Sequence, residues 1–298
     1  MKFGVSTFVT DEGLSAPALA VALEQRGFDS LFVAEHTHLP VNAAAPPDGD
    51  LPTRDYYRSL DPFVALSVAA AVTERLLLGT GIALVIQRDP IILAKEAASL
   101  DFVSNGRFHL GLGAGWLREE MLNHGTDPRT RLALMRERVL AMKEIWTSEQ
   151  AEFHGKFVDF DPIFSWPKPV QRPHLPVLIG GNGPTVLDRV LEYGDGWAPN
   201  LIGPPQDLVV QVADLQRRAA ERGRAPIPVT LIGADKRGYL DTGQLDVIAP
   251  LDERELTILA EGGIDHCVFF RDASAPQTEA LRYLDKLASL TKKFRDQR

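Results

Sequence analysis

Two adjacent residues, Glu35 and His36, close an apolar run that begins at Ser30. If that run is a strand, both side chains stand at its C-terminal end. A histidine titrates near neutrality and can donate or accept a proton at working pH. A neighbouring carboxylate can orient the ring or raise its pKa. His38 falls on the same face of an extended segment as His36, which would suit a metal, but no third ligand is evident. The plainer reading, a loop histidine making one structural hydrogen bond, stays open on spacing alone.

Three glycine-rich stretches accompany this pair. Gly111-Leu112-Gly113-Ala114-Gly115-Trp116 is not a dinucleotide fingerprint, because Trp116 holds the last glycine position. Its glycines allow a ligand close to the backbone, or serve a tight turn. Ile179-Gly180-Gly181-Asn182-Gly183-Pro184-Thr185 opens a helix and lacks the Gly-Lys-Ser/Thr of a P-loop. N–H groups at a helix N-terminus attract phosphate, and glycines leave them uncovered. Gly79-Thr80-Gly81-Ile82 interrupts a strand, which marks a bulge, a close ligand approach or a barrel-corner bend.

Elements that would hold these residues alternate along the chain. Strands are expected at Phe3–Thr7, Ser30–Glu35, Leu76–Leu84, Phe108–Gly113, Val177–Gly180, Gly196–Asn200, Pro228–Gly233 and Cys267–Phe270. Continuous apolar runs suit strands of a parallel sheet, buried on both faces. Helices are expected between them: Ser15 to Gly27, Pro62 to Glu74, Pro90 to Val103, Pro128 to Trp146, Pro184 to Tyr193, Leu208 to Glu221, Asp252 to Glu261 and Pro276 to Phe294. In the fourth of these, Leu132, Met135, Val139, Met142 and Trp146 recur at helical spacing. Eight strands alternating with eight helices predict an α/β fold, a (β/α)8 TIM barrel with insertion loops, as one domain over 1–298. An open doubly wound sheet is the competitor, and it lacks its fingerprint. The long connections are Leu39 to Leu60, Thr147 to Pro176 and Asp235 to Pro250. Barrel enzymes place their chemistry at the C-terminal rim, where two of the three would lie.

A net charge of −8 argues against nucleic acid or an anionic membrane as partner. The single cysteine, Cys267, excludes an internal disulfide and reads as a buried, inert thiol. With no secretory leader and no apolar run of membrane-spanning length, the expectation is a cytoplasmic protein acting on a small molecule.

Taken in order, these pieces resemble the bacterial luciferase-like superfamily. The likeness rests on Gly27-Phe28-Asp29-Ser30-Leu31 into Glu35-His36, then Leu78-Gly79-Thr80-Gly81, Asp89-Pro90, Lys95 through Asp101, and Gly106-Arg107-Phe108. It continues through the glycines at 111–115, Phe153-His154-Gly155-Lys156-Phe157, Pro167-Lys168-Pro169-Val170-Gln171 and Gly180-Gly181-Asn182. Within the superfamily the chain looks most like the branch that uses coenzyme F420, on Phe153–Phe157, Pro167–Gln171 and Gly115-Trp116. The resemblance implies hydride transfer at the deazaflavin C5, a cis peptide at Gly81–Ile82 behind the ring, and a homodimer. It places the cofactor on Gly81, Ile82, Gly113, Ala114, Gly180, Gly181, Asn182 and Thr185. It makes His36, with Glu35, the catalytic pair. Ala114 stands where sugar-phosphate dehydrogenases of that branch carry a catalytic glutamate, so that reaction is not expected. No metal is implied. An FMN-dependent monooxygenase on the same barrel is the alternative, and a non-catalytic flavin-binding protein the second.

Overall fold

The computed structural model describes residues 1–43, 54–235 and 250–295. Its strands are short and apolar: β1 (Lys2–Thr7), β2 (Ser30–Val33), β3 (Leu77–Thr80), β4 (Ala83–Leu84), β5 (Phe108–Gly113), β6 (Ala151–His154), β7 (Asp159–Ile163), β8 (Val177–Gly180), β9 (Gly196–Ala198), β10 (Thr230–Ile232) and β11 (His266–Phe270). Eight pair in the order β10-β11-β1-β2-β3-β5-β8-β9, every pair parallel. Parallel bridges Trp197–Val229 and Asn200–Ile232 bring β9 back to β10 and close the barrel. The expected third strand, Leu76–Leu84, is split. β3 ends at Thr80, the cis peptide Gly81–Ile82 follows, and β4 resumes beside β5.

The helices are α1 (Ala16–Gln25), α2 (Asp55–Arg58), α3 (Pro62–Ala71), α4 (Pro90–Val103), α5 (Arg118–Asn123), α6 (Arg131–Thr147), α7 (Val186–Tyr193), α8 (Pro205–Glu221), α9 (Glu253–Glu261) and α10 (Gln277–Arg295). Asp61 and Asp89 cap α3 and α4 through pairs of backbone N–H groups, and Asp252 with Glu255 forms a capping box on α9. Ser15 sits at the N-cap of α1 but makes no side-chain cap bond. Leu19 and Leu23, Leu93 and Ala97, and Val139 and Met142 pack with the outer faces of the strands. Inside the barrel, Phe32, Leu178, Ala198, Ile232 and Val268 form a second, narrow core. Leu132 departs from its expected place: it is exposed near the start of α6, while Leu134, Ile145 and Ala141 are buried. Cys267 is fully buried, and burial pushes its thiol up.

At the N-terminal ends of the strands, carboxylates cap free N–H groups. Asp29 accepts from Phe3, Glu24 from Leu76, Asp195 from Val177 and Asp265 from Val229, all at 2.7–2.9 Å. This rim is structural, and it leaves the C-terminal rim for chemistry.

The connection 147–176, read as a loop, contains the antiparallel hairpin β6–β7. Single side chains stitch it down. Glu137 on α6 accepts the N–H groups of Lys156, Phe157 and Val158 at 3.1, 2.6 and 3.0 Å. Asp101 on α4 accepts those of Val170 and Gln171. Lys168 Nζ donates to the carbonyls of Ile145 and Ser148 at the end of α6.

Burial pushes the Glu137 carboxyl up, but the three N–H donors outweigh it and hold the group below its ordinary 4.5. A depressed carboxylate stabilises the fold above its unfolded pKa and loses that contribution as pH falls through its folded pKa. Glu137→Gln should therefore lower the melting temperature by a few degrees at pH 7. The gap between variant and wild type should close as melting curves are taken at successively lower pH below 4.5.

Candidate functional site

His36 follows β2 at the C-terminal rim and is 8% exposed. Its ring sits among Tyr56, Trp116 and Phe8, with centroids 4.5, 6.0 and 6.3 Å away. Ser59 Oγ donates to the His36 carbonyl at 2.9 Å and fixes the backbone. His36 Nδ1 lies 2.7 Å from Glu120 Oε2. Glu120, on α5, is 1% exposed and also accepts the Thr37 N–H at 3.0 Å. Burial pushes its carboxyl up, but the bond and charge of His36 and the Thr37 N–H outweigh that and hold it low. An ionised carboxylate only accepts, so Nδ1 carries the proton and Nε2 is the ring's working nitrogen. Nε2 has no hydrogen-bond partner among the described residues.

Glu35 is placed differently from the expectation that it orients this ring. It turns to the other side of the strand end. Oε2 accepts the Leu84 N–H at 2.6 Å, and Oε1 accepts Arg88 Nε and Nη2 at 2.8 and 2.5 Å. Arg88 also binds Asp61 and Glu96 and lies 4.8 Å over the Phe63 ring. Burial pushes the Arg88 guanidinium down, yet Glu35 and Asp61 together raise it well above its ordinary value. Both residues lie past the end of β2, and their side chains go to different partners. Glu35 thus braces β2 against β4, and Glu120 takes the role beside the histidine. Nothing in the sequence marked Glu120 beyond its place four residues after Trp116, nor Tyr56, which lies within the long connection 39–60.

The glycine stretches converge on one side chain. Ile82 follows the cis peptide and points at β5 and β8. A Cβ on Gly113 would lie 1.8 Å from Ile82 Cδ1, and one on Gly180 would lie 3.0 Å from Ile82 Cγ2. Those two glycines therefore make room for Ile82, which together with Gly81 forms a half-buried floor at the rim. Ala114 is also half-buried and packs on the core beside them.

The turn after β8 is more mixed than a row of free N–H groups. Gly181, at φ +107, donates its N–H to the Ala198 carbonyl at 3.2 Å. Asn182 spans to β9: its Nδ2 donates to the Asn200 carbonyl and its Oδ1 accepts the Asn200 N–H, at 2.8 and 3.0 Å. The N–H groups of Asn182, Gly183 and Thr185 make no hydrogen bond among the described residues. Open space lies over the Cα atoms of Gly181 and Gly183. One turn into α7, Arg189 donates from Nη1 to Thr185 Oγ1 at 2.7 Å, while its buried Nε has no partner among the described residues. Free N–H groups, an open glycine face and a guanidinium at a helix N-terminus fit a phosphate group. Sequence reasoning missed Arg189, although it lies one helical turn from Thr185.

Most of the connection 235–250 and part of 39–60 lie outside the described residues. His38, weighed as a metal ligand, is instead hydrogen-bonded to Thr37 Oγ1 and Asn123 Nδ2. Among the described residues no helix is long and apolar enough to cross a membrane.

Relatives carry both cofactor types. The uncharacterized protein Rv0953c of Mycobacterium tuberculosis is 38% identical over 297 residues, spanning 97% of this chain and 98% of its own length. The FMNH(2)-dependent dimethylsulfone monooxygenase of Pseudomonas putida is 31% identical over 141 residues, 46% of this chain and 38% of that one. The F420-dependent glucose-6-phosphate dehydrogenase of Nakamurella multipartita is 28% identical over 205 residues, 66% of this chain and 55% of that one. In three dimensions, monooxygenase RslO1 from Streptomyces bottropensis superposes with a TM-score of 0.79 at 21% identity, covering 99% of both chains. The family described as luciferase-like monooxygenase matches residues 1–234, the span that contains the barrel from β1 through β10 and every residue of the rim site above. The chain belongs to the luciferase-like monooxygenase family.

Proposed function

We propose that the chain, as a single domain, is an oxidoreductase that holds a phosphorylated flavin-type cofactor at the C-terminal rim and acts on a small organic substrate. The observation that carries this reading is the His36–Glu120 pair, bonded at 2.7 Å among three aromatic rings and facing the same rim as the Ile82 floor. The α7 N-terminus with Arg189 would hold the phosphate. Gly81 and Ile82, with Gly113, Ala114 and Gly180 behind them, would lie under the ring. The cofactor supplies the redox chemistry: hydride transfer, and with FMN also dioxygen activation. The protein's part is to exclude water with Tyr56, Trp116 and Phe8 and to move one proton at His36 Nε2.

FMN with a monooxygenase reaction draws the fuller support. The matching family and RslO1 are both described as monooxygenases, and the 31% match is to an FMNH(2)-dependent enzyme. Coenzyme F420 with hydride transfer to or from the substrate is the second reading, favoured by the 205-residue match. Of the segments that suggested F420, Gly115-Trp116 brings Trp116 beside the His36 ring, while Phe153–Phe157 and Pro167–Gln171 bond to Glu137, Asp101 and the end of α6. The latter two serve packing and bear little on the choice of cofactor.

Oxygen uptake separates the two. With reduced FMN and an oxidisable substrate, a monooxygenase consumes dioxygen in step with product. With F420, substrate-dependent change in the cofactor's visible absorbance proceeds equally well without air. Absence of both would leave only a binding role. A homodimer is part of the same proposal: α3 has no charged residue, and Val64 and Val68 expose an apolar face that suits a second copy.

A further inference from the structure

Thr37 joins the buried pair to two histidines that the reaction above does not use. Its Oγ1 lies 2.8 Å from His38 Nδ1, 2.8 Å from His124 Nε2 and 3.3 Å from Glu120 Oε1. Asn123 Nδ2 donates to His38 Nε2 at 2.9 Å, so neutral His38 holds its proton on Nδ1 and gives it to Thr37. A hydroxyl has one proton to give and two lone pairs to accept with. When His124 carries a proton on Nε2, Thr37 accepts from both rings and donates to Glu120. When that nitrogen is bare, the hydroxyl can turn and donate to His124. The chain thus runs from a histidine 8% exposed and a carboxylate 1% exposed to His124 at the surface.

We infer that Thr37 is a relay that passes protons between the His36–Glu120 pair and His124, and through it to solvent. This rests on the proton-transfer role given to His36 above. Were the substrate an alcohol whose hydride a bound cofactor accepts, as in the second reading above, its hydroxyl proton would pass to His36 Nε2. His36 gives its Nδ1 proton to Glu120 Oε2, and a half-turn of the carboxyl brings that proton to Thr37. Thr37 accepts it while passing its own proton to His124 Nε2, and His124 releases one to water. Glu120 is then ionised again, and His36 and His124 are neutral, each ring having its proton on the other nitrogen until it resets. Reduction runs the same path inward. Burial and the neighbouring His38 push His124 down, which favours release to water of a proton that the ring takes up. His124 is faced by His38, Glu120, Glu35 and Arg88, and His36 by Glu120 and Tyr56.

The test uses Thr37→Val, which removes the hydroxyl and keeps the N–H to Glu120, and Thr37→Ser, which restores it. His124→Gln is a second variant at an exposed position, should Thr37→Val fold poorly. Thr37→Val should slow the proton-linked step by about tenfold. Thr37→Ser should recover it, and added imidazole should rescue Thr37→Val. In the cofactor-free protein with 15N-labelled histidines, the His36 ring signals should shift as His124 titrates, and that coupling should vanish in Thr37→Val. Wild-type rates and pH profile in Thr37→Val and His124→Gln, or His36 signals indifferent to His124 in the wild type, would overturn the relay. If His36→Ala is slow while both relay variants are normal, the relay alone is wrong. If His36→Ala is also normal, the role given to His36 is wrong as well.

Discussion

His36→Ala should lower the single-turnover rate of the chemical step by roughly 10²-fold or more and leave cofactor affinity within a few-fold. Removing a hydride or inserting oxygen changes the charge on the substrate, and a proton must follow. Few groups at this rim can supply it. Ala114 cannot, and Glu35 is engaged by Arg88 and Leu84. Glu120 is buried and engaged by His36 and Thr37, with Gln87 beside it. Affinity should survive because His36 follows β2, whereas the turn that fits the phosphate follows β8. Glu120→Gln keeps the shape and removes the charge, so it should reduce the rate by less than His36→Ala. Glu35→Gln should be read chiefly in melting temperature, since it would leave the half-buried Arg88 with a weakened partner. The assay is stopped-flow absorbance of bound cofactor with a competent substrate. A wild-type rate in His36→Ala would transfer the proton step to another group or to water.

Arg189→Ala should weaken FMN binding by roughly 10–100-fold, the loss expected for one charge-assisted phosphate contact of about 1.5–3 kcal/mol. Riboflavin, which has the ring but no phosphate, should bind wild type and variant alike. The contrast isolates the phosphate: wild type should prefer FMN over riboflavin, and the variant should lose most of that preference. Fold should be intact, because the Arg189 side chain is half-buried and, among the described residues, hydrogen-bonds to the Thr185 hydroxyl alone. Titration by quenching of flavin fluorescence gives all four constants. An unchanged FMN constant in Arg189→Ala would move the phosphate away from α7.

Much of the scaffold was legible in the order of elements. Eight apolar runs alternating with helices gave the parallel barrel, and Pro62, Pro90 and Asp252 marked real helix starts. The split of the third strand was foreshadowed by Gly79 and Gly81, while the position of the cis bond came from resemblance. Period-2 and period-3.6 patterns report burial against one layer, so they missed pieces without such a pattern. The six-residue α5 and the hairpin β6–β7, exposed along most of its second strand, are the examples. The site was harder to read. Adjacency in sequence suggested Glu35 beside His36, but past the end of β2 the two side chains take different partners. The true partner, Glu120, comes from 84 residues away. Glycine content pointed to ligand approach, whereas at Gly113 and Gly180 the immediate occupant is Ile82. Such pairings depend on which loops share a rim, and no local spacing encodes that.

This rim should bind a phosphorylated flavin-type cofactor. Thermal melting of the purified protein with saturating FMN, with coenzyme F420 and with neither tests it most directly. A ligand that binds only the folded state raises stability by about 2.7 kcal/mol at a hundred times its Kd, which is several degrees in a protein of this size. One of the two cofactors should raise the melting temperature in a saturable way, and Arg189→Ala should blunt that rise. Identical melting curves in all three conditions would contradict the account.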